Sequence, residues 1–424
     1  MRKLQAFKYI LASAMLLGTL PLGAQTIWQG DNGAAVHLSP DRIYNYNRYE
    51  GSRWGLGAEA MLPVGKKDLA AGLRPKLYLA AYGGYGLADH AMKYGATAGL
   101  MMPRRHRTSV FLDYADDLDQ QGGHKLSGYS LLNTSDNASY LAQLFSASRR
   151  IGLNATTHPT DKLMVSVGAQ HSTERYLFTT NGALCYPRLY PTQTMPLTQY
   201  NELYAQAVWN QVWTLFVTGG VYESDFAQGS YVRGIVQYDR TMKKERYALN
   251  LYGQGGWCNA RAPYSRMFDI SGTAYSYYFF RHTFLTVMPY TFTANAYLHL
   301  CLNYTTTQPL WRSELSNPKA FAQVQGMWGT LTCGDDPIYA HTLISEGVKP
   351  VANGEALPSE PYMLMAAPTK GLAEVSAGIT HLLRVWGFDF GVALAYQLTP
   401  ASAWYHHEDR YSNLAFLSVA TLQL

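Results

Sequence analysis

Between Arg384 and Leu398 the chain alternates with a period of two. Trp386, Phe388, Phe390, Val392, Leu394, Tyr396 and Leu398 fall on one face, and Gly387, Asp389, Gly391, Ala393, Ala395 and Gln397 on the other. A strand puts successive side chains on opposite faces, so this pattern calls for a strand with a different solvent on each side. The preceding residues answer in the same period: Ala373, Val375, Ala377 and Ile379 alternate with Glu374, Ser376, Gly378 and Thr380. The short link His381-Leu382-Leu383-Arg384 would join the two runs into a hairpin. A tilted strand of about 10 residues crosses a bilayer. The hairpin is therefore expected to form two staves of an all-β fold, a transmembrane antiparallel β-barrel.

Composition agrees. Charged residues make up 15% of the chain, well under the roughly 25% of soluble domains. No uninterrupted apolar run long enough for a transmembrane helix follows residue 24. A barrel produces this combination, because its lipid-facing positions carry no charge and recur at every second residue. A soluble β-sandwich would also alternate, but the length is large for one sandwich. Met1–Ala24 reads as a secretory signal peptide, with Arg2, Lys3 and Lys8 ahead of a mostly apolar run. Residues 25–50 read as a periplasmic or intraluminal lead-in, and 51–424 as the barrel.

The net charge of +5 is modest and Lys and Arg are scattered, so no nucleic-acid partner is expected. Cys185, Cys258, Cys301 and Cys333 lie far apart without C-x-x-C spacing. They read as isolated side chains, with one disulfide left open.

About sixteen strands are expected (range 14–18), beginning near Gly51 and including His282–Tyr290. Ala115–Ser139, Ser172–Leu197, Thr332–Thr369 and Thr399–Arg410 read as long loops. Asn259–Arg281, where Tyr275, Tyr277, Tyr278, Phe279 and Phe280 crowd together, is either an aromatic girdle or one more strand. As a link it breaks the alternation of long loops with short turns.

Several short motifs occur in a characteristic order: Tyr49-Glu50-Gly51-Ser52-Arg53-Trp54-Gly55-Leu56-Gly57, Tyr85-Gly86-Leu87-Ala88-Asp89, Lys93-Tyr94-Gly95, and Asp113-Tyr114-Ala115-Asp116-Asp117. Pro263-Tyr264, Glu374–Ile379 and Phe388-Asp389-Phe390 follow. In this the chain resembles the Bacteroidota outer-membrane barrels of unknown function that usually follow a carboxypeptidase-regulatory-like domain. The likeness runs from about Tyr49 to the end. The N-terminal domain has no counterpart here. Leu424 stands where barrel-assembly machinery usually reads an aromatic, with Phe416 the nearest substitute. The resemblance implies the fold, the cell outer membrane and insertion by that machinery. It implies no catalytic residues.

No catalytic, cofactor-binding or metal residue is nominated. Asp116, Asp117 and Asp119 lack the glycine and distal glutamate of a calcium loop and read as part of a solvated loop. His406-His407-Glu408-Asp409 would put neighbouring ligands on opposite faces of a strand, and reads as an exposed loop. His171-Ser172 near Glu174 lacks a glycine-rich elbow for a hydrolase nucleophile. Gly83-Gly84 and Gly219-Gly220 read as bends or close packing.

Glu59, Asn250, Gln254, Asn295, Asn303, Glu374 and Asp389 are expected to line the interior. The leading function is a porin-like binding or transport barrel for a solute or an envelope protein partner, with outer-membrane lipid around it. The alternatives are an assembly, insertion or scaffold factor and, behind it, an outer-membrane hydrolase. Bilayer conductance separates the first two, and activity lost on Ser172→Ala would revive the third.

Overall fold

The computed structural model describes residues 25–30, 33–39, 44–47, 50–65, 74–102, 107–120, 125–126, 129–130, 145–177, 197–224, 228–263, 266–269, 282–286, 293–331, 351–352, 355–356, 368–385, 388–399 and 414–422. The segment 1–24 and the cluster His406–Asp409 lie outside them. One antiparallel sheet takes in 18 strands. These are β1 Gln25–Gln29, β2 Ala35–Leu38, β3 Tyr44–Asn47, β4 Gly51–Pro63, β5 Lys76–Gly86, β6 Met92–Met102, β7 Thr108–Gln120, β8 Phe145–Thr160 and β9 Leu163–Leu177. Next come β10 Leu197–Trp209, β11 Trp213–Ser224, β12 Gln228–Lys243, β13 Tyr247–Cys258, β14 Ala296–Thr306, β15 Lys319–Thr330, β16 Leu372–Val385, β17 Phe388–Gln397 and β18 Leu414–Leu422.

Each strand from β4 to β18 pairs with its neighbours in chain order. Ahead of them, β2 and β3 both lie along the same edge of β4 and act as one broken stave. β1 pairs along the far edge of β2. The wall thus has 16 staves.

That number agrees with the sequence through two compensating differences. The sheet begins at residue 35 or earlier rather than at Gly51, because the polar-aromatic stretch read as a lead-in supplies a stave. The expected strand His282–Tyr290 is absent over its described part, His282–Thr286, which leaves the sheet and is buried. Removing that strand restores the alternation of the links. The segment from Asn259 to Asn295 then falls at the same end as the other long connections.

Three boundaries also move. β7 runs to Gln120 and β9 to Leu177, so residues read as loop starts are paired strand. The hairpin link is not His381–Arg384. β16 passes through a register shift between Ile379 and Leu383, with His381 at φ +58°, and the turn comes after Val385. The shift explains the reading, since a bulge interrupts period two much as a turn does.

The two faces are inverted relative to a soluble protein. Leu56, Leu203, Leu215, Val236, Leu300, Val324 and Leu394 are exposed, while the residues between them are buried and largely polar. Aromatics bracket the exposed apolar belt. Tyr247 stacks on Tyr304 (5.6 Å) and Trp213 meets Tyr238 (4.8 Å) at the short-turn end, and Trp257 and Trp328 stand towards the long-loop end. At about 3.3 Å per residue and a tilt of roughly 40°, Tyr247 and Trp257 are separated by a rise of about 25 Å, the height of a barrel's apolar band.

Candidate functional site

Two buried networks occupy the inner face. The first lies near the long-loop end and draws together the motifs of the N-terminal half. Glu50 is fully buried and accepts two hydrogen bonds from Arg53 Nε, at 2.9 and 3.0 Å. Arg53 reaches on to Asp117, which also accepts from Tyr82 OH at 2.8 Å. Lys93 sits between Glu50 (3.0 Å) and Asp89. A Cβ at Gly84 would lie 3.1 Å from Arg53 Cδ, so close packing accounts for that glycine. Asp116, one residue along the strand, points outward and accepts from Arg149 at 2.9 Å. The aspartates read as one solvated cluster are therefore divided between two faces, and among the described residues no group of acidic, histidine or cysteine side chains is arranged to hold a metal.

The second network is inside the barrel, where the described parts of the link between β13 and β14, residues 266–269 and 282–286, meet the wall. Arg266 lies outside any strand and is 8% exposed. Its guanidinium engages two carboxylates with paired contacts. Nη1 and Nη2 donate to Glu174 at 3.1 and 2.7 Å, and Nε and Nη2 donate to Glu202 at 2.9 and 3.1 Å. This is the fork geometry that makes arginine–carboxylate pairs strong. Tyr231 OH donates to Glu202, and the Tyr200 ring lies 3.8 Å from Arg266 Cζ. Arg233 Nη1 donates to the Arg266 carbonyl at 3.2 Å. Glu174, Glu202, Tyr231 and Arg233 come from β9, β10 and β12, so one wall grips one residue of the segment.

Further along, the same segment meets the adjoining wall, β13 to β16. Glu374 on β16 is fully buried and accepts from the backbone N–H groups of Leu285 (3.1 Å) and Thr286 (2.7 Å), from Thr286 Oγ1 (2.6 Å) and from Gln325 Nε2 (3.0 Å). Gln325 Nε2 also donates to the Thr283 carbonyl at 2.9 Å. His282 stacks on Tyr252 at 3.9 Å and contacts Asn250 Oδ1 at 2.6 Å. Phe284 packs against His299 at 5.2 Å. Phe268–Asp269 pairs with Thr293–Ala294, which holds the two ends of the segment together.

The expected lining residues are placed as the alternation requires. Asn250, Gln254, Asn295, Asn303 and Glu374 are buried, and Glu59 accepts from Tyr78 OH at 2.8 Å. The Asp389 side chain lies outside the described residues, as do Tyr275–Phe280. His171 and Ser172 face opposite ways. Ser172 is buried and donates to Glu174 at 3.1 Å, while His171 is exposed beside Asn201 Oδ1 at 2.9 Å. A nucleophile–base pair is thereby ruled out for them. Cys258 and Cys301 are buried, and Cys185 and Cys333 are not among the described residues. Gly220 confirms the packing reading, since a Cβ there would sit 2.9 Å from the Asn201 carbonyl.

Sequence reading missed Arg266. It stands in no alternating run, and its segment is marked by Pro263-Tyr264 and the aromatic crowding of Tyr275–Phe280 rather than by Arg266 itself.

No family model matches the chain, and no curated protein matches it. Among solved structures, BamA from Haemophilus ducreyi lacking POTRA domains 1–3 is similar at 10% identity and TM-score 0.45, over 95% of this chain and 75% of that one. CdiB from Escherichia coli is similar at 11% identity and TM-score 0.40, over 95% and 68%. CdiB from Acinetobacter baumannii follows at 8% identity and TM-score 0.38, over 87% of this chain and 57% of the other's length.

Proposed function

We propose that this chain is an outer-membrane barrel that binds or carries a solute or an envelope partner, with passage governed by an internal segment rather than by open diffusion. The observation that carries the reading is Arg266, held inside the lumen by Glu174 and Glu202. A free-diffusion pore keeps an aqueous channel along its axis, whereas here a connection from the long-loop end is fastened to both walls. The exposed apolar belt supports a lipid surround. In this reading the barrel-assembly machinery inserts the protein, its place is among the Bacteroidota barrels it resembles, and its role is binding rather than catalysis.

Conductance of the purified chain in planar bilayers tests this. The wild type is expected to be nearly silent, and Arg266→Ala to open frequently. A steady, wide wild-type pore would remove the gating reading. A silent wild type whose Arg266→Ala variant is equally silent, and which co-purifies with a protein, would favour a scaffold.

A further inference from the structure

The cations that look scattered along the chain fall in several settings, with Arg149, Arg175, Arg261 and Lys370 exposed towards the long-loop end. Inside, Arg53 and Lys93 pair with Glu50, Asp89 and Asp117, and Arg266 with Glu174 and Glu202, while Arg233 donates to the Arg266 carbonyl. At the short-turn end, Lys162, Arg240, Lys243, Lys244, Arg246 and Arg312 are all exposed, and none has a side-chain ion pair among the described residues. Asp161, Glu245 and Glu314 accompany them on the same links, and Asp239, beside Arg240 on β12, accepts from Asn250 Nδ2 at 2.6 Å. Arg240, Lys243, Lys244 and Arg246 crowd one hairpin, the tip joining β12 to β13, which Lys244 N closes on the Tyr247 carbonyl at 2.7 Å.

This end is also built as a continuous rim. Asn210 N donates to the Lys162 carbonyl (2.7 Å), and Asp239 N to the Val212 carbonyl (2.9 Å). Thr307 N donates to the Arg246 carbonyl (3.0 Å) and its hydroxyl to the Glu245 carbonyl (2.6 Å). The far side of that loop is tied to β16 by Asn317 N to the His381 carbonyl (3.1 Å) and Arg384 N to the Leu315 carbonyl (2.7 Å). The register shift in β16 thus has a use, because it offers backbone groups to the neighbouring link. The cations stand on turns stitched to one another. Immediately beside them lie the exposed Trp209, Trp213, Tyr247, Tyr304 and Trp311.

We infer that this rim is a binding surface for the phosphate headgroups of anionic phospholipid in the leaflet it abuts. The continuity of the cations with the aromatic margin of the apolar belt selects lipid over a soluble polymer. Aromatic rings settle at headgroup depth, and Lys and Arg stems extend from there to the phosphates. The charge is complementary, and each basic side chain near an anionic surface contributes about fivefold to binding. The inference rests on the membrane-spanning reading of the barrel but not on its internal segment.

The test uses the full chain purified in neutral detergent and equilibrated with mixed phosphatidylcholine and phosphatidylglycerol, followed by analysis of the lipid it retains. Wild-type protein is expected to enrich phosphatidylglycerol. In Arg240→Gln/Lys243→Gln/Lys244→Gln/Arg246→Gln the enrichment should fall at least about fivefold. Arg240→Lys/Arg246→Lys should keep it, and Arg149→Gln/Arg175→Gln, towards the other end, should leave it unchanged. Folding of each variant is read from the heat-dependent gel migration of an intact barrel. If that migration is absent from the wild type, the barrel reading itself fails. A folded wild type without preference, a preference surviving in the folded rim variant, or rim-dependent binding to purified peptidoglycan with no lipid preference would each overturn the inference.

Discussion

The two walls of the lumen hold the same segment by different means. The β9–β12 wall grips Arg266 through full charges, Glu174 and Glu202, steadied by Tyr231. The adjoining wall, β13 to β16, offers amides and a histidine: Asn250, His299, Gln323 and Gln325 are buried there. Its single buried carboxylate, Glu374, meets backbone N–H groups and a hydroxyl rather than a cation. The difference teaches where removal is costly. A buried ion pair is a modest net contributor when intact, because desolvation offsets attraction, but losing one partner strands the other's charge. A hydrogen-bonded carboxylate loses only donors that can in part find other acceptors.

The largest expected effect is therefore Arg266→Ala, which leaves two buried carboxylates facing each other. We expect a loss of about 3–5 kcal/mol, read as a lowered midpoint in thermal unfolding in detergent, together with channel opening. Combining Arg266→Met with Glu174→Gln and Glu202→Gln should recover most of that loss. If the triple variant unfolds like the single one, the contrast between the walls is wrong. Glu374→Gln comes next. Its amide turns a donor towards the Leu285 and Thr286 N–H groups, at a cost of about 1–3 kcal/mol, and conductance should stay low because the Arg266 anchor remains. Openings as frequent as in Arg266→Ala would make the neutral wall the controlling one.

Tyr231→Phe removes the hydroxyl that donates to Glu202 and should lower stability by about 1 kcal/mol. A double-mutant cycle of Tyr231→Phe with Glu202→Gln should show coupling, whereas Tyr231→Phe with Glu374→Gln should be additive. The smallest effect is Arg149→Gln on the outer face. Arg149 pairs with Asp116 but its side chain is 66% exposed, so under about 1 kcal/mol is expected. A larger loss would mean that the outer pair is not solvated like a surface pair.

How much could be read in advance follows from the range of each interaction. Period two marked Ala294–Asn303 and the C-terminal hairpin correctly, down to the face of Asn303 and Glu374. It failed where the backbone leaves the period, at the β16 register shift, and where polar strand ends resemble loops. Asp117 and Glu174 look like loop residues in sequence because their partners, Arg53 and Arg266, are 64 and 92 positions away. Glu50, Arg53, Asp89, Lys93 and Asp117 could be picked out as motif residues, yet nothing in their order shows that they share one network.

By itself the amino-acid order determined that this chain forms strands with one apolar and one polar face, since side-chain alternation is a local property of extended backbone. Only the tertiary structure decided that the segment after Cys258 turns inward, that Arg266 is gripped by two carboxylates, and that dispersed lysines and arginines gather on one rim. Those outcomes depend on strands far apart in the chain being laid side by side, and pairwise proximity across a rolled sheet is not encoded in any single stretch.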